Sequence, residues 1–229
     1  MIVAMHQPTF LPWLGWWDKL VRADRLVLLD DVQFPKKGGT WMNRVRMLVN
    51  GEPEWLTVPV DRAYHGVRTI REMRIDEATP WRTRLASTIA LNYKRARHFD
   101  DVYPLVEELL GLATDRIADL NEQGIRRLAS RLEIDASKLV RQSDLHVEGA
   151  STELLVNLCR AVGAGTYLSG DGAEGYLEPE KFAVAGLELV EQRFTTPSYP
   201  QLVRDFAPGL SVVDALMNCG WEGTRSLLE

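Results

Sequence analysis

Cysteine is scarce in this chain, a basic excess is missing and no long apolar run occurs; each absence removes a class of protein. The two cysteines among 229 residues, Cys159 and Cys219, are too few for a disulfide framework. No spacing pairs them with histidines as a zinc site requires, so no metal is assigned. Both read as structural, Cys219 within the apolar pattern Val212, Val213, Leu216, Met217 of a terminal helix. Asp and Glu number 32 against 27 Lys and Arg, a net charge of −5, which argues against duplex nucleic acid as a partner but leaves room for a local basic pocket. Asp, Arg, Glu or Lys interrupts every apolar stretch before about eighteen residues, which argues against membrane insertion. The N-terminal MIVAMHQPTF lacks the basic region and apolar stretch of a secretory signal. Together these place the chain in the cytoplasm, with any membrane association peripheral or through a partner.

What is present is an ordinary globular balance, 45% hydrophobic and 26% charged, enough to bury a sizeable core. Ile2 to Met5 is an apolar run that ends in a proline-containing loop. Pro12 suits the first turn of a helix carrying Leu14, Trp17, Leu20 and Val21. Arg25 to Asp31 is nearly continuous in apolar character, the mark of a strand covered on both faces. The first thirty residues therefore read as a βαβ unit.

Arg44 to Val49 and Trp55 to Val60 flank an Asn50-Gly51 turn signal and read as an inserted hairpin, with Ile70 to Ile75 as a further extended segment. Helical periodicity follows in Trp81 to Arg95, Val102 to Leu112 and Ile117 to Leu132. The last third alternates again: strand at Lys138 to Arg141, helix at Thr152 to Val162, and strands at Thr166 to Ser169 and Leu187 to Arg193. The expectation is one α/β domain over 1–229 with a mostly parallel, Rossmann-like sheet. The hairpin and helices form an excursion at about 42–134 between the two halves of that sheet. The alternative is two subdomains divided near Ile75 and Asp135.

Three segments carry candidate chemistry. The loop from His6 to Trp13 joins the end of the first strand to a helix N-terminus, where open α/β sheets bind ligands and helix amides favour anions. His6 is a candidate general acid or base and Gln7 a candidate hydrogen-bonding partner for a carbonyl or hydroxyl. Trp13 is placed to stack on a sugar or base, whereas Trp16 and Trp17 fit a core or interface. Asp30 and Asp31 end the second strand, where two carboxylates can hold a ribose, a sugar hydroxyl or a metal, or one of them can cap a turn. Lys36, Lys37, Arg44 and Arg46, with Trp41 and Asn43, then place four cations within eleven residues, an anion pocket in which Gly38-Gly39 lets backbone approach a ligand. Ser169-Gly170-Asp171-Gly172 follows a strand and reads as a ligand-binding or tight turn. Its glycines at 170, 172 and 175 match GxGxxG only loosely, which argues against dinucleotide binding.

The blocks HQPTFLPWLGWWDKL, LDDVQFPKKGGTWMNRVR, LTVPV, YLSGDGAEGYLEPEKF and LSVVDALMNCG span almost the whole chain, and together they resemble the WbqC-like family. That resemblance implies a bacterial protein found among genes for O-antigen, other surface-polysaccharide or specialised-metabolite assembly, with a glycine transferase role proposed for the family. The family blocks match here at His6, Gln7, Pro8, Leu11, Pro12, Gly15, Asp30, Asp31, Lys37, Trp41, Asn43, Arg44, Pro59, Ser169, Gly170 and Gly172. Between Phe34 and Trp41 the chain departs from the family, carrying an extra Gly-Gly.

Three functions follow as expectations. The first is transfer of an acyl or aminoacyl (glycyl) group to an amine of an amino sugar, with His6, Gln7 and Asp30 catalytic. Trp13, Asp31, Lys36, Lys37, Trp41, Asn43, Arg44, Ser169, Gly170 and Gly172 would then bind the substrate, an activated donor or nucleotide sugar. The second is a nucleotide-dependent transferase, and the third a noncatalytic scaffold, which an exposed tryptophan face would favour. The sequence names no cofactor and leaves homo-oligomer formation open.

Overall fold

The computed structural model describes residues 1–170, 175 and 177–229. In chain order the elements are β1 (Ile2–His6), α1 (Leu14–Arg22), β2 (Arg25–Leu28), the hairpin strands β3 (Arg44–Val49) and β4 (Glu52–Thr57), and the helices α2 (Trp81–Tyr93), α3 (Phe99–Leu110) and α4 (Ile117–Arg131). There follow β5 (Leu139–Arg141), α5 (Gln142–Leu145), α6 (Ser151–Ala161), β6 (Thr166–Ser169), α7 (Pro179–Val184), β7 (Glu188–Glu191) and α8 (Val212–Ser226). The five sheet strands run β5-β2-β1-β6-β7, and every pairing among them is parallel. The fold is thus the expected α/β architecture with an antiparallel hairpin set apart from the sheet.

Strand periodicity explains the two layers. Val3, Met5 and Val27 point to the face covered by Leu154, Leu158, Cys159 and Phe182 of α6 and α7. Ala4, Leu26 and Leu28 point to the other face, where Trp16, Trp17 and Leu20 of α1 pack with the hairpin, the middle helices and α8. Both faces are dry, so β1 and β2 carry no polar alternation.

Several boundaries differ from the sequence reading. Asn50 and Gly51 both have positive φ, 53° and 83°, so the turn is two residues long and Val49 pairs at once with Glu52. The second hairpin strand therefore spans Glu52–Thr57 instead of beginning at Trp55. Ile70–Glu72 is a 3-10 turn and not extended, because the Glu72 carboxylate accepts from both the Thr69 backbone N–H and its hydroxyl, at 2.8 and 3.1 Å. Pro12 lies outside α1: its carbonyl accepts from Val212 N–H, and the helix opens after Trp13 in extended backbone.

The excursion is tied to the sheet by a buried polar cluster on α8. Asp214, fully buried, accepts from the Tyr93 hydroxyl at 2.8 Å, the Tyr199 hydroxyl at 2.7 Å and the Gln201 amide at 3.0 Å. Tyr93 in turn accepts from Leu48 N–H at 2.9 Å, so α2, β3, α8 and the 199–207 segment meet at one carboxyl. Burial pushes both tyrosine hydroxyls well above their ordinary range, which keeps them donors. Asp214→Ala strands three buried donors and is expected to lower the unfolding free energy by about 3 kcal/mol or more, against about 1 to 3 kcal/mol for Tyr199→Phe. Urea denaturation of the two variants checks the ranking.

Candidate functional site

The strand order reverses at β1. From β1 the chain moves outward through β2 to β5, then returns to the other side of β1 to place β6 and β7. Such reversals open a crevice at the carboxyl ends of the strands, because the connections on either side leave in opposite directions. A cavity of about 520 Å³ lies there. Met5, His6 and Gln7 at the end of β1, Leu29 after β2, Gly170 after β6 and Gln192 after β7 line it. Trp13, Gly15 and Lys19 of the α1 segment, Trp41, Phe194, Thr196 and Gly209 complete the walls.

His6 is half-buried in this wall. Its Nδ1 lies 3.0 Å from the Gln7 carbonyl, which can only accept, so Nδ1 carries the proton; the Thr9 hydroxyl is 3.3 Å from the same nitrogen. Nε2 is therefore the lone-pair nitrogen. Burial, and next the positive charge of Lys19, lower His6 from 6.5 to about 3, opposed by its bond to Gln7. The ring is neutral throughout the physiological range.

Lys19 is 6% exposed, an unusual degree of burial for a lysine. A Cβ built on Gly170 would lie 2.5 Å from Nζ, so a side chain at 170 would displace the ammonium. Gly15 has the same relation to the aromatic wall, where a Cβ would lie 2.8 Å from Phe194 Cδ1 and from Trp13 Nε1. Gln192 donates to the Gly15 carbonyl at 2.6 Å and to Asp18 at 2.7 Å, fastening the end of β7 to α1.

An aromatic series leads outward from the cavity. The His6 and Trp13 rings stand edge-on at 5.4 Å, Trp13 and Trp41 tilt together at 4.7 Å, and Trp41 meets Trp55 at 4.8 Å. Arg44 covers Trp55 with its guanidinium 4.0 Å from the ring centre. Three bonds hold the loop and hairpin in this register: Phe10 N–H donates to the Trp41 carbonyl at 3.0 Å, and the Asn121 amide of α4 donates to the carbonyls of Pro8 and Met42.

Of the residues singled out from sequence, His6, Gln7, Trp13, Trp41 and Gly170 come together in the cavity wall. The others lie elsewhere. Asp30 is 4% exposed and accepts from Ser143 N–H and hydroxyl at 3.0 and 2.7 Å, while Asp31 pairs with Arg71 at 2.6 Å. Asn43 is buried and occupied by the Thr40 hydroxyl and the Val58 carbonyl, which closes the base of the hairpin. Lys37 is exposed and Lys36 sits over the Tyr64 ring at 5.4 Å. Gly39 makes room for the Arg44 guanidinium, whereas Gly38 has open space around it. Ser169 is buried, its hydroxyl 3.4 Å from the Val190 carbonyl, and Gly172 lies outside the described residues. His6 and Gly170 share this cavity, whereas Asp30 and Arg44 are not among its lining residues.

Lys19 is the cation that sequence reading passed over. The signal was present: positions 15, 16, 19 and 20 share one face of α1, and a lysine on the stripe of Trp16 and Leu20 is unusual unless it is paired or lines a site. Gln192, Phe194, Thr196 and Gly209 carried no comparable signal. Among the described residues no cluster of three or more His, Cys, Asp or Glu is placed to hold a metal, and no helix is long and apolar enough to cross a membrane.

A histidine neutral in the fold and protonated when unfolded makes the chain acid-sensitive. Its depressed value contributes stability that is present above pH 6.5 and lost as pH falls toward 3. One proton corresponds to about 1.4 kcal/mol per pH unit, an upper bound because the ring keeps some exposure. Urea unfolding from pH 7 to 4.5 is expected to show a shallower loss for His6→Gln than for the parent chain; equal slopes would mean that His6 takes up its proton in the folded state.

The comparisons with known proteins give a family and no chemistry. An uncharacterized protein of Mycobacterium tuberculosis (strain ATCC 25618 / H37Rv), Rv1507c, is 29% identical over 222 residues, covering 96% of this chain and 94% of the relative. No solved structure matches the chain significantly. The model of the WbqC-like protein family matches residues 7–226, from the loop after β1 to the end of α8. The chain belongs to the WbqC-like protein family.

Proposed function

We propose that the cavity at the carboxyl edge of β1 and β6 is the active site of a cytoplasmic acyl or aminoacyl transferase, with transfer of a glycyl group to the amine of an amino sugar as its reaction. The setting is bacterial surface-polysaccharide or specialised-metabolite assembly, following the role proposed for the family. The observation that carries the reading is a neutral imidazole and a buried ammonium in one cavity walled by indoles.

Each group has a part in such a transfer. The acceptor amine attacks the donor carbonyl, a carbon–nitrogen bond forms and the bond to the activating group breaks. His6 Nε2 takes the proton that the amine loses and passes it to the leaving group. Lys19 offsets negative charge on the leaving group, and its own charge in a water-poor wall acts at low screening. A negative donor beside Lys19 also offsets the repulsion that helps hold His6 near 3, so donor binding strengthens the base that the acceptor needs. Trp13 and Trp41 offer faces to a sugar ring. Because Trp16 and Trp17 are fully buried, α1 lacks the exposed tryptophan face of a scaffold.

Incubation of the purified chain with activated glycine and amino-sugar nucleotides, read by mass spectrometry, is expected to yield the glycyl amide. His6→Ala should lower the rate by about a hundred- to ten-thousandfold with the acceptor KM little changed. An unaltered rate in a folded His6→Ala chain removes the base, and no product from any activated donor removes the transferase.

A further inference from the structure

We infer that Thr9 is a positioning residue of the cavity: its hydroxyl, with the Gln7 carbonyl, fixes the tautomer and orientation of the His6 ring so that the Nε2 lone pair faces the substrate volume. This deepens the transferase reading, on which its effect on rate rests, but the tautomer is read without turnover.

The backbone around His6 is fixed, which leaves the ring as the free part. His6 pairs with Leu28 at the end of β1, and its carbonyl accepts from Leu29 N–H at 2.9 Å. Further along the loop, the Asn121 amide donates to the Pro8 carbonyl at 2.9 Å and Phe10 N–H donates to the Trp41 carbonyl at 3.0 Å. Thr9, between these two ties, has no solvent exposure, and its side chain turns back to the histidine.

Three groups then close on one another. The Thr9 hydroxyl carries one proton and donates it to the Gln7 carbonyl at 3.0 Å, so its lone pairs are what Nδ1 meets at 3.3 Å. Nδ1–H therefore has two acceptors, the Gln7 carbonyl at 3.0 Å and the Thr9 oxygen. In the opposite tautomer a bare Nδ1 would face the carbonyl oxygen with no hydrogen between them, and Thr9 could serve the ring only by releasing Gln7. A neutral imidazole takes the tautomer that its hydrogen bonds select, and burial keeps this ring neutral.

Packing alone does not make that choice. Trp13 and Trp16 stand edge-on to the ring, 5.4 and 6.4 Å away, but a half-turn about Cβ–Cγ leaves the ring outline almost unchanged. That half-turn would bring the carbon Cδ2 to the two oxygens and the carbon Cε1 to where Nε2 stands. Polar partners distinguish the two orientations, and among the described residues those of the ring fall on Nδ1. Nε2 is thereby left for the substrate.

Heteronuclear NMR of the nitrogen-labelled full chain reads the ring directly. With His6 assigned by its absence from His6→Gln, the parent chain is expected to show a protonated Nδ1, an unprotonated Nε2 and a cross-peak between Hδ1 and the Thr9 hydroxyl proton. Thr9→Val, which keeps the shape and removes the oxygen, should move the tautomer ratio toward Nε2–H by about two- to tenfold, the weight of one neutral hydrogen bond. Thr9→Ser should restore the parent spectrum. In glycyl transfer Thr9→Val should lower kcat roughly tenfold with the acceptor KM little changed, because the base is present but less well placed, and Thr9→Ser should recover the rate. A protonated Nε2 in the parent, or parent nitrogen shifts in a folded Thr9→Val, overturns the proposal. Should Thr9→Val unfold, the parent cross-peak decides, and its absence has the same force. The stated tautomer change without product from any activated donor would leave the positioning role standing while removing the transferase, and transfer at the parent rate by Thr9→Val would do the reverse.

Discussion

Because β2 and β6 flank β1 on opposite sides and all three run parallel, the chain segments leaving their carboxyl ends cannot fill the same space. That divergence makes the crevice, and everything that lines it is positioned by the elements returning from it. The His6-to-Trp13 loop turns down into α1 on one face of the sheet, while the segment after β6 leads into α7 on the other. The same geometry brings an ammonium from α1 to the end of β6 without any sequence proximity between residues 19 and 170.

The electrostatics of the cavity depend on burial more than on the number of charges. A net charge of −5 describes the whole chain, yet the wall at the switch point holds a neutral histidine beside a buried lysine. Most of the cations that attract notice in the sequence are engaged elsewhere, Arg44 on Trp55 and Lys36 on Tyr64 among them. Arg141, at the end of β5, is held by Glu122 and Asp119 of α4. Charges exposed at the surface are screened by water and contribute little individually, whereas charges in a buried wall act on one another at lower screening.

The hairpin's link to the sheet is a matter of hydrogen-bond completion. Asn43 closes its base, Asn121 joins the Pro8 and Met42 carbonyls, and Asp214 collects Tyr93, Tyr199 and Gln201. Each is a buried polar group whose position is dictated by partners from another element, since a buried donor or acceptor left alone is costly. These bonds hold Trp41 against Trp13 and thereby make the hairpin part of the cavity wall.

By itself the sequence determined what local physics can read: the dry strands β1 and β2 through unbroken apolar runs, the hairpin through Asn50-Gly51, and the helices through their periodicity. It also marked His6, Gln7, Trp13, Trp41 and Gly170, because strand ends and glycine turns signal ligand loops in a parallel sheet. Only the tertiary structure decided that Lys19 faces the cavity while Asp30, Asn43 and Arg44 are occupied by their neighbours. The physical reason is that a charged or polar residue type is defined by its chemistry, whereas its availability depends on which neighbours the fold brings against it, from three residues away, as Thr40 stands from Asn43, to more than a hundred, as Ser143 stands from Asp30.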